Sequence, residues 1–257
     1  MNFLTEREGE DNRFAHFFSW LLIALLLAGV FWFGFSRLGY RFAWDTIYDY
    51  RINFLRGYGM TVLISLFALV LSLVLGILFG LGQGSRLLPF RYLSLFYIEL
   101  VRGTPLLVQI LIFFYVIANA AGIHNRFVVG VLIMALFSGA YIAEIIRGGV
   151  QSIGESQRET ARSLGFSSYQ TYRFVIFPQV ITRILPSLAG QLASLIKDSS
   201  LLSVIALKEF TMAAREMNAN TFSTMEAYIP LAIGYLLLTL PISRLTRILE
   251  RKFSYET

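Results

Sequence analysis

Met60–Gly82, MTVLISLFALVLSLVLGILFGLG, is 23 residues long and carries no charge. A helix needs roughly 20 apolar residues to cross about 30 Å of hydrocarbon, so this stretch is read as a membrane span. Upstream, Phe17–Phe35 is a second charge-free run, of 19 residues. It comes after a mixed-charge head (Glu6, Arg7, Glu8, Glu10, Asp11, Arg13). A signal peptide would have a basic start, a shorter core and a small-residue cleavage site. Phe31-Trp32-Phe33 stands where small residues would be needed, so the run is read as a retained helix. Leu93–Ala121, Phe127–Ile146, Ile184–Leu207 and Ala227–Ser243 complete the set, the last continuing towards Leu249. The expected fold is therefore all-α, a polytopic membrane protein with about six transmembrane helices. The ten-residue alternation of a membrane barrel is absent.

Composition supports this reading. The 257 residues are 56 % hydrophobic and only 15 % charged, against about 25 % charged in soluble domains. Disorder is excluded by the same figures, because it requires low hydrophobicity. With no cysteine and two isolated histidines, His16 and His124, neither a thiolate nor a histidine metal site is expected, and no catalytic constellation is seen. The net charge of +6 could suit nucleic acid, but in a membrane chain it more often reflects arginines held at the cytoplasmic face. With both termini cytoplasmic, the inside segments hold 13 Lys and Arg and the outside loops 7. Arg37, Arg41, Arg51 and Arg56 run against that bias. Mixed with Tyr40, Trp44, Tyr48 and Tyr50, they are read as a segment lying along an interface.

The stretch between the fourth and fifth spans, 147–183, is too polar to cross and too patterned to be a linker. Glu155–Leu164 reads as a short helix. Gly165 can supply the left-handed residue that ends it, and Ser167 or Ser168 can cap a second helix, Tyr169–Phe177. Pro178 is expected to break the helical course of the chain. A rigid helix carried between two spans can transmit a push, although an amphipathic hairpin resting on headgroups has the same pattern.

Glu159-Thr160-Ala161-Arg162-Ser163-Leu164-Gly165, with Ile176-Phe177-Pro178-Gln179 further on, resembles the EAA loop of binding-protein-dependent ABC importer permeases, with Thr160 where the family usually has alanine. Three further stretches resemble the polar amino-acid subgroup, the histidine, glutamine, glutamate and arginine permease type. They are Gly57-Tyr58-Gly59-Met60-Thr61-Val62-Leu63-Ile64-Ser65, Glu99-Leu100-Val101-Arg102-Gly103-Thr104-Pro105-Leu106-Leu107-Val108-Gln109 and Lys197-Asp198-Ser199-Ser200-Leu201. The resemblance implies a five-helix type I importer core over 57–250 with its coupling loop at 147–183. Residues 1–56 would be an addition comprising the head, an extra helix and the interfacial segment, and 251–257 a short cytoplasmic tail.

It further implies a translocation subunit in the bacterial inner membrane. A second permease chain, either itself or a paralogue, would complete the path through the lipid. A cytoplasmic ABC ATPase dimer would carry ATP and Mg, and an extracytoplasmic binding protein would deliver an amino acid. Glu159, Thr160, Ala161, Leu164 and Gly165 would form the ATPase-coupling site. The chain itself has no Gly-x4-Gly-Lys-Ser/Thr phosphate loop, so no cofactor is expected on it and ATP hydrolysis would belong to another polypeptide.

Charges within spans need a reason, because each costs about 2.5 to 3.5 kcal/mol near the bilayer centre. Glu99 and Arg102 are spaced i, i+3 and can neutralise each other, as can Glu144 and Arg147. Lys197 and Asp198 are adjacent and cannot. With Gly103, Thr104 and Pro105, which can interrupt the third span, and Ser199, the residues Glu99, Arg102, Lys197 and Asp198 are candidates for the substrate path. The competing reading is a self-sufficient secondary transporter or channel for a small polar solute, in which these charges couple to ions.

Overall fold

The structure is a computed structural model that describes residues 13–37 and 39–253. Most of the acidic head and the end of the tail read from the sequence lie outside the described residues. The chain divides into two units at Ala43/Trp44. The first contains α1 (Arg13–Arg37), a helix with exposed aromatic side chains, Trp20 and Trp32 among them.

The second unit is built on α2 (Asp45–Gly82) and α5 (Arg126–Gln151), which pack along much of their length. Two glycines make this approach possible. A Cβ on Gly76 would lie 2.3 Å from Ile142 Cγ2, and one on Gly80 would lie 3.0 Å from the Ala143 carbonyl. The third glycine at this spacing, Gly84, meets nothing closer than 3.7 Å and lies past the helix. Small residues supply association in lipid because apolar burial gains little there. The two helices run parallel, since late positions of α2 meet late positions of α5.

α3 (Leu88–Arg102) lies against α5, and α4 (Leu106–Ile112) continues through a π-helical turn, Phe113–Ala118. Past α5 come α6 (Glu155–Ser163) and α7 (Ser168–Gln170). A second π turn, Thr171–Ile176, then leads into α8 (Phe177–Asp198). α8 returns antiparallel to α5, where Gly149 admits Ile184. A 3-10 turn, Ser199–Ile205, then leads to α9 (Phe210–Thr221) and α10 (Thr224–Phe253), which packs on α8. The principal core cluster joins Ile64 and Ala68 of α2 with Leu106 and Ile110 of α4, Val129 and Ile133 of α5, and Leu195 and Leu202.

Among the described residues, four helices are long and apolar enough to cross a membrane: Phe17–Gly34, Asp45–Gly82, Arg126–Gln151 and Thr224–Lys252. Leu88–Arg102 and Leu106–Ala118 pass together but are bent by 109°. The protein is an all-α membrane protein. α8, about 33 Å long at 1.5 Å per residue, has the length of a span but carries Arg183, Gln191, Lys197 and Asp198.

Three expectations need correction. The boundary after residue 56 falls inside α2, because 45–56 continues the helix rather than forming a separate interfacial segment. The third span is broken at Gly103–Pro105, the interruption expected there. The fifth span ends its α-helix at Asp198 and finishes as a tighter turn. Pro178 does not break the chain, since helix runs through it. The wider π turn upstream relieves the clash between a proline ring and the carbonyl four residues back.

Candidate functional site

The loop between α5 and α8 is held by two hydrogen-bonded turns. α6 ends at Gly165, whose φ of +78° is left-handed. Gly165 N–H donates to the Arg162 carbonyl (2.9 Å) and Phe166 N–H to the Ala161 carbonyl (3.0 Å), the paired bonds of a Schellman motif. Ser167 Oγ then accepts from Gln170 N–H while Gln170 Oε1 accepts from Ser167 N–H, a capping box. Of the predicted coupling residues, Ala161 is buried and anchors α6 against the π turn. Glu159 and Thr160 are exposed, and Leu164 is 70 % exposed. Tyr169, Tyr172 and Phe174 extend the exposed apolar surface. The loop therefore presents a carboxylate beside an apolar patch on a frame held from both ends.

The break at Gly103-Thr104-Pro105 has a local cause. Pro105 has no N–H, so the Val101 carbonyl four residues earlier loses its helical donor. Gln109 Nε2 replaces it at 2.7 Å, and also donates to the Thr104 carbonyl (3.0 Å) and Thr104 Oγ1 (2.8 Å). Thr104 Oγ1 in turn donates to the Leu100 carbonyl at 2.8 Å. Non-helical backbone at membrane depth is tolerated where such side chains satisfy it. Beside this elbow lies a cavity of about 320 Å³, lined by Tyr97, Val101, Thr104, Gln109, Phe113 and Ile133 among others. Its surface is apolar apart from a few groups.

The predicted path residues fall into two places. At the elbow, Glu99 is exposed and does not hold Arg102. Arg102 Nη1 instead pairs with Glu144 Oε2 on α5 at 2.8 Å, its guanidinium 5.7 Å from the Tyr141 ring. At the end of α8, Lys197 is exposed, Asp198 half-buried and Ser199 fully buried, donating to the Ile196 carbonyl at 2.7 Å. Among the described residues no ion pair joins the two places. They meet through apolar packing of α4 on the 3-10 turn.

Sequence reasoning missed Glu209. This carboxylate is fully buried and outside the spans, at the end of the bundle opposite the coupling loop. It caps α9, accepting from Thr211 N–H (2.7 Å) and Met212 N–H (2.8 Å), while Tyr235 Oη on α10 donates to it at 3.1 Å. The next residue, Phe210, donates its N–H to Thr61 Oγ1 on α2 at 3.2 Å and packs against Phe54, Tyr58 and Tyr235. Burial pushes the Glu209 carboxyl up to about 7, against the lowering effect of its donors. The readable signal is a Glu directly before an apolar helix start, in the position of an N-cap.

Comparison with known proteins fits these features. Residues 72–255 match the family described as "Binding-protein-dependent transport system inner membrane component". The glutamine transport system permease protein GlnP of Escherichia coli K12 is 36 % identical over 214 residues, which is 82 % of this chain and 98 % of that protein. A crystal structure of an amino acid ABC transporter with histidines superposes with a TM-score of 0.77 at 34 % identity, covering 83 % of this chain and 100 % of that one. The inward-facing MetNI methionine ABC transporter shares the fold alone, with a TM-score of 0.60 at 14 % identity over 80 % of this chain and 98 % of that one.

Proposed function

The chain belongs to the family of binding-protein-dependent transport system inner membrane components and is an ABC importer permease, and on that premise we propose that it carries a polar amino acid inward, driven by a separate ATPase docked on α6. The observation that carries the proposal is the closed coupling loop, with Glu159 and Leu164 exposed on a helix that Gly165 terminates. A docking helix must not yield when its partner moves, and two satisfied turns keep it from yielding. Transport is the chain's role, and ATP and Mg are held by the ATPase dimer.

The path runs along the elbow Gly103–Pro105 and the end of α8, with Glu99, Arg102, Lys197, Asp198 and Ser199 at its border. Charges of both signs suit a zwitterion, and a broken span frees backbone groups to face a cavity. A second permease chain completes the path, and an extracytoplasmic binding protein delivers the cargo. The chain lies in a bacterial cytoplasmic membrane with α6 and both termini inside. The amino-acid cargo is supported by the E. coli glutamine permease and the solved amino acid transporter.

The test is uptake of labelled glutamine, glutamate, histidine and arginine into cells of its source organism producing the chain. We expect one or more to accumulate, and Glu159→Lys to abolish accumulation while the protein stays in the membrane. Unchanged accumulation in that variant contradicts the docking role, and accumulation of none of the four contradicts the cargo class.

A further inference from the structure

A polar chain runs from the elbow to Gln151 at the end of α5, and Glu144 is its centre. One carboxylate serves two guanidiniums: Glu144 Oε2 lies 2.8 Å from Arg102 Nη1, and Arg147 binds both its oxygens, at 2.8 and 2.9 Å. Arg102 is the last residue of α3, immediately before the 109° bend. Arg147 also donates from Nη1 to Gln151 Oε1 at 2.7 Å, and Gln151 is the last residue of α5. Its neighbour Ser152 accepts through its carbonyl (2.5 Å) and hydroxyl (3.1 Å) from Arg183 on α8. The chain thus begins at the hinge of the broken span and ends at Gln151, next in sequence to the Ser152–Arg183 contact that joins the end of α5 to α8.

We infer that Glu144 is the positioning residue that couples the elbow to the coupling loop. The inference rests on the proposed function and adds to it how movement at α6 reaches the path. Glu144 is only 18 % exposed while Arg102 and Arg147 are 43 % and 39 % exposed, so the carboxylate is the fixed member and the guanidiniums are the ones that can let go. The triad carries one surplus positive charge, which leaves Arg102 the exchangeable member: Glu144 and Arg147 remain a neutral bidentate pair without it. The Arg102–Glu144 bond is therefore a contact that is either made or broken as the elbow swings, and its state is felt at Gln151 and Ser152. Spacing alone pairs Glu99 with Arg102 and Glu144 with Arg147. The bond across helices exists because α3 packs against α5, which sets its last residue beside Glu144.

The experiment measures ATP hydrolysed per amino acid transported, in proteoliposomes holding the chain with the ATPase that co-purifies with it and the binding protein. The cargo is whichever of glutamine, glutamate, histidine or arginine the wild type accumulates. Arg102→Met and Glu144→Gln should each raise the ratio several-fold while the ATPase stays bound, with the double variant no worse than Glu144→Gln alone. Arg102→Lys, which keeps the charge, should restore a ratio near that of the wild type. A merely structural role would lower hydrolysis and transport together and leave the ratio unmoved. If Glu144→Gln does not reach the membrane, Arg102→Met decides the question, because it leaves the Glu144–Arg147 pair whole. An unmoved ratio in a complex whose wild type transports overturns the role of Glu144 alone. A wild type with no bound ATPase overturns the proposed function and this inference with it.

Discussion

Phe166 donates its backbone N–H to the Ala161 carbonyl at 3.0 Å across Gly165, so the exposed end of α6 is tied to its one buried residue. That bond requires a left-handed residue at 165. Gly165→Val therefore costs about 1 to 2 kcal/mol of local stability, although a Cβ there would meet open space. The expected outcome is a loop that opens and an ATPase that co-purifies in reduced amount, read by quantifying the partner in detergent extracts. Full retention of the partner would show that the turn is not needed for docking.

The parallel packing of α2 on α5 makes a sharper steric prediction. Gly76→Val drives a methyl group into Ile142 and should lower the thermal midpoint in detergent, an overpacking cost of about 1 to 3 kcal/mol. Gly84→Ala, one turn beyond the helix contact, should leave the midpoint unchanged. Equal effects from the two variants would contradict the close approach at Gly76.

At the elbow, Gln109 takes the place of the missing amide of Pro105. Gln109→Leu leaves the Val101 carbonyl without a donor, which costs about 1 to 3 kcal/mol for a buried polar group. Thermal unfolding in detergent should report the loss, and Gln109→Glu should not rescue it, since a carboxylate has no hydrogen to donate. A midpoint equal to that of the wild type in both variants would remove Gln109 from the support of the break.

Glu209 makes stability depend on pH. Its carboxyl is raised from the ordinary value of 4.5 to about 7 by burial, so the folded protein holds a proton that the unfolded chain releases. Stability is therefore fully present below about pH 4.5 and falls as pH rises to about 7, by about 3 kcal/mol. The groups facing it are Tyr235 of α10, Thr211 of α9 and, through Phe210, Thr61 of α2. Thermal midpoints at pH 5 and pH 8 should differ more in the wild type than in Glu209→Gln. An identical pH dependence in the two would exclude Glu209 as its source.

Much of the fold is legible in the sequence because lipid imposes a simple rule. Runs such as Met60–Gly82 have no other use, and Gly165 after a polar helix signals a left-handed stop. Two features mislead for a physical reason. Residues 45–56 mix arginine with aromatics, as an interfacial segment does, yet their backbone continues α2 because no proline interrupts it. Arg102 pairs with Glu99 on spacing because helical periodicity is visible in a sequence and a bond across helices is not. Glu209 escapes notice because a charge between spans reads as solvated, whereas α9, α2 and α10 close over it.

The central claim is that this permease works through an ATPase seated on α6. The most direct measurement extracts the chain in gentle detergent, identifies the proteins that come with it, and assays ATP-dependent uptake after reconstitution. We expect a phosphate-loop ATPase that co-purifies with the wild type, is released by Glu159→Lys, and is required together with ATP for amino-acid uptake. Vesicles in which the purified chain alone moves amino acids without ATP would contradict it.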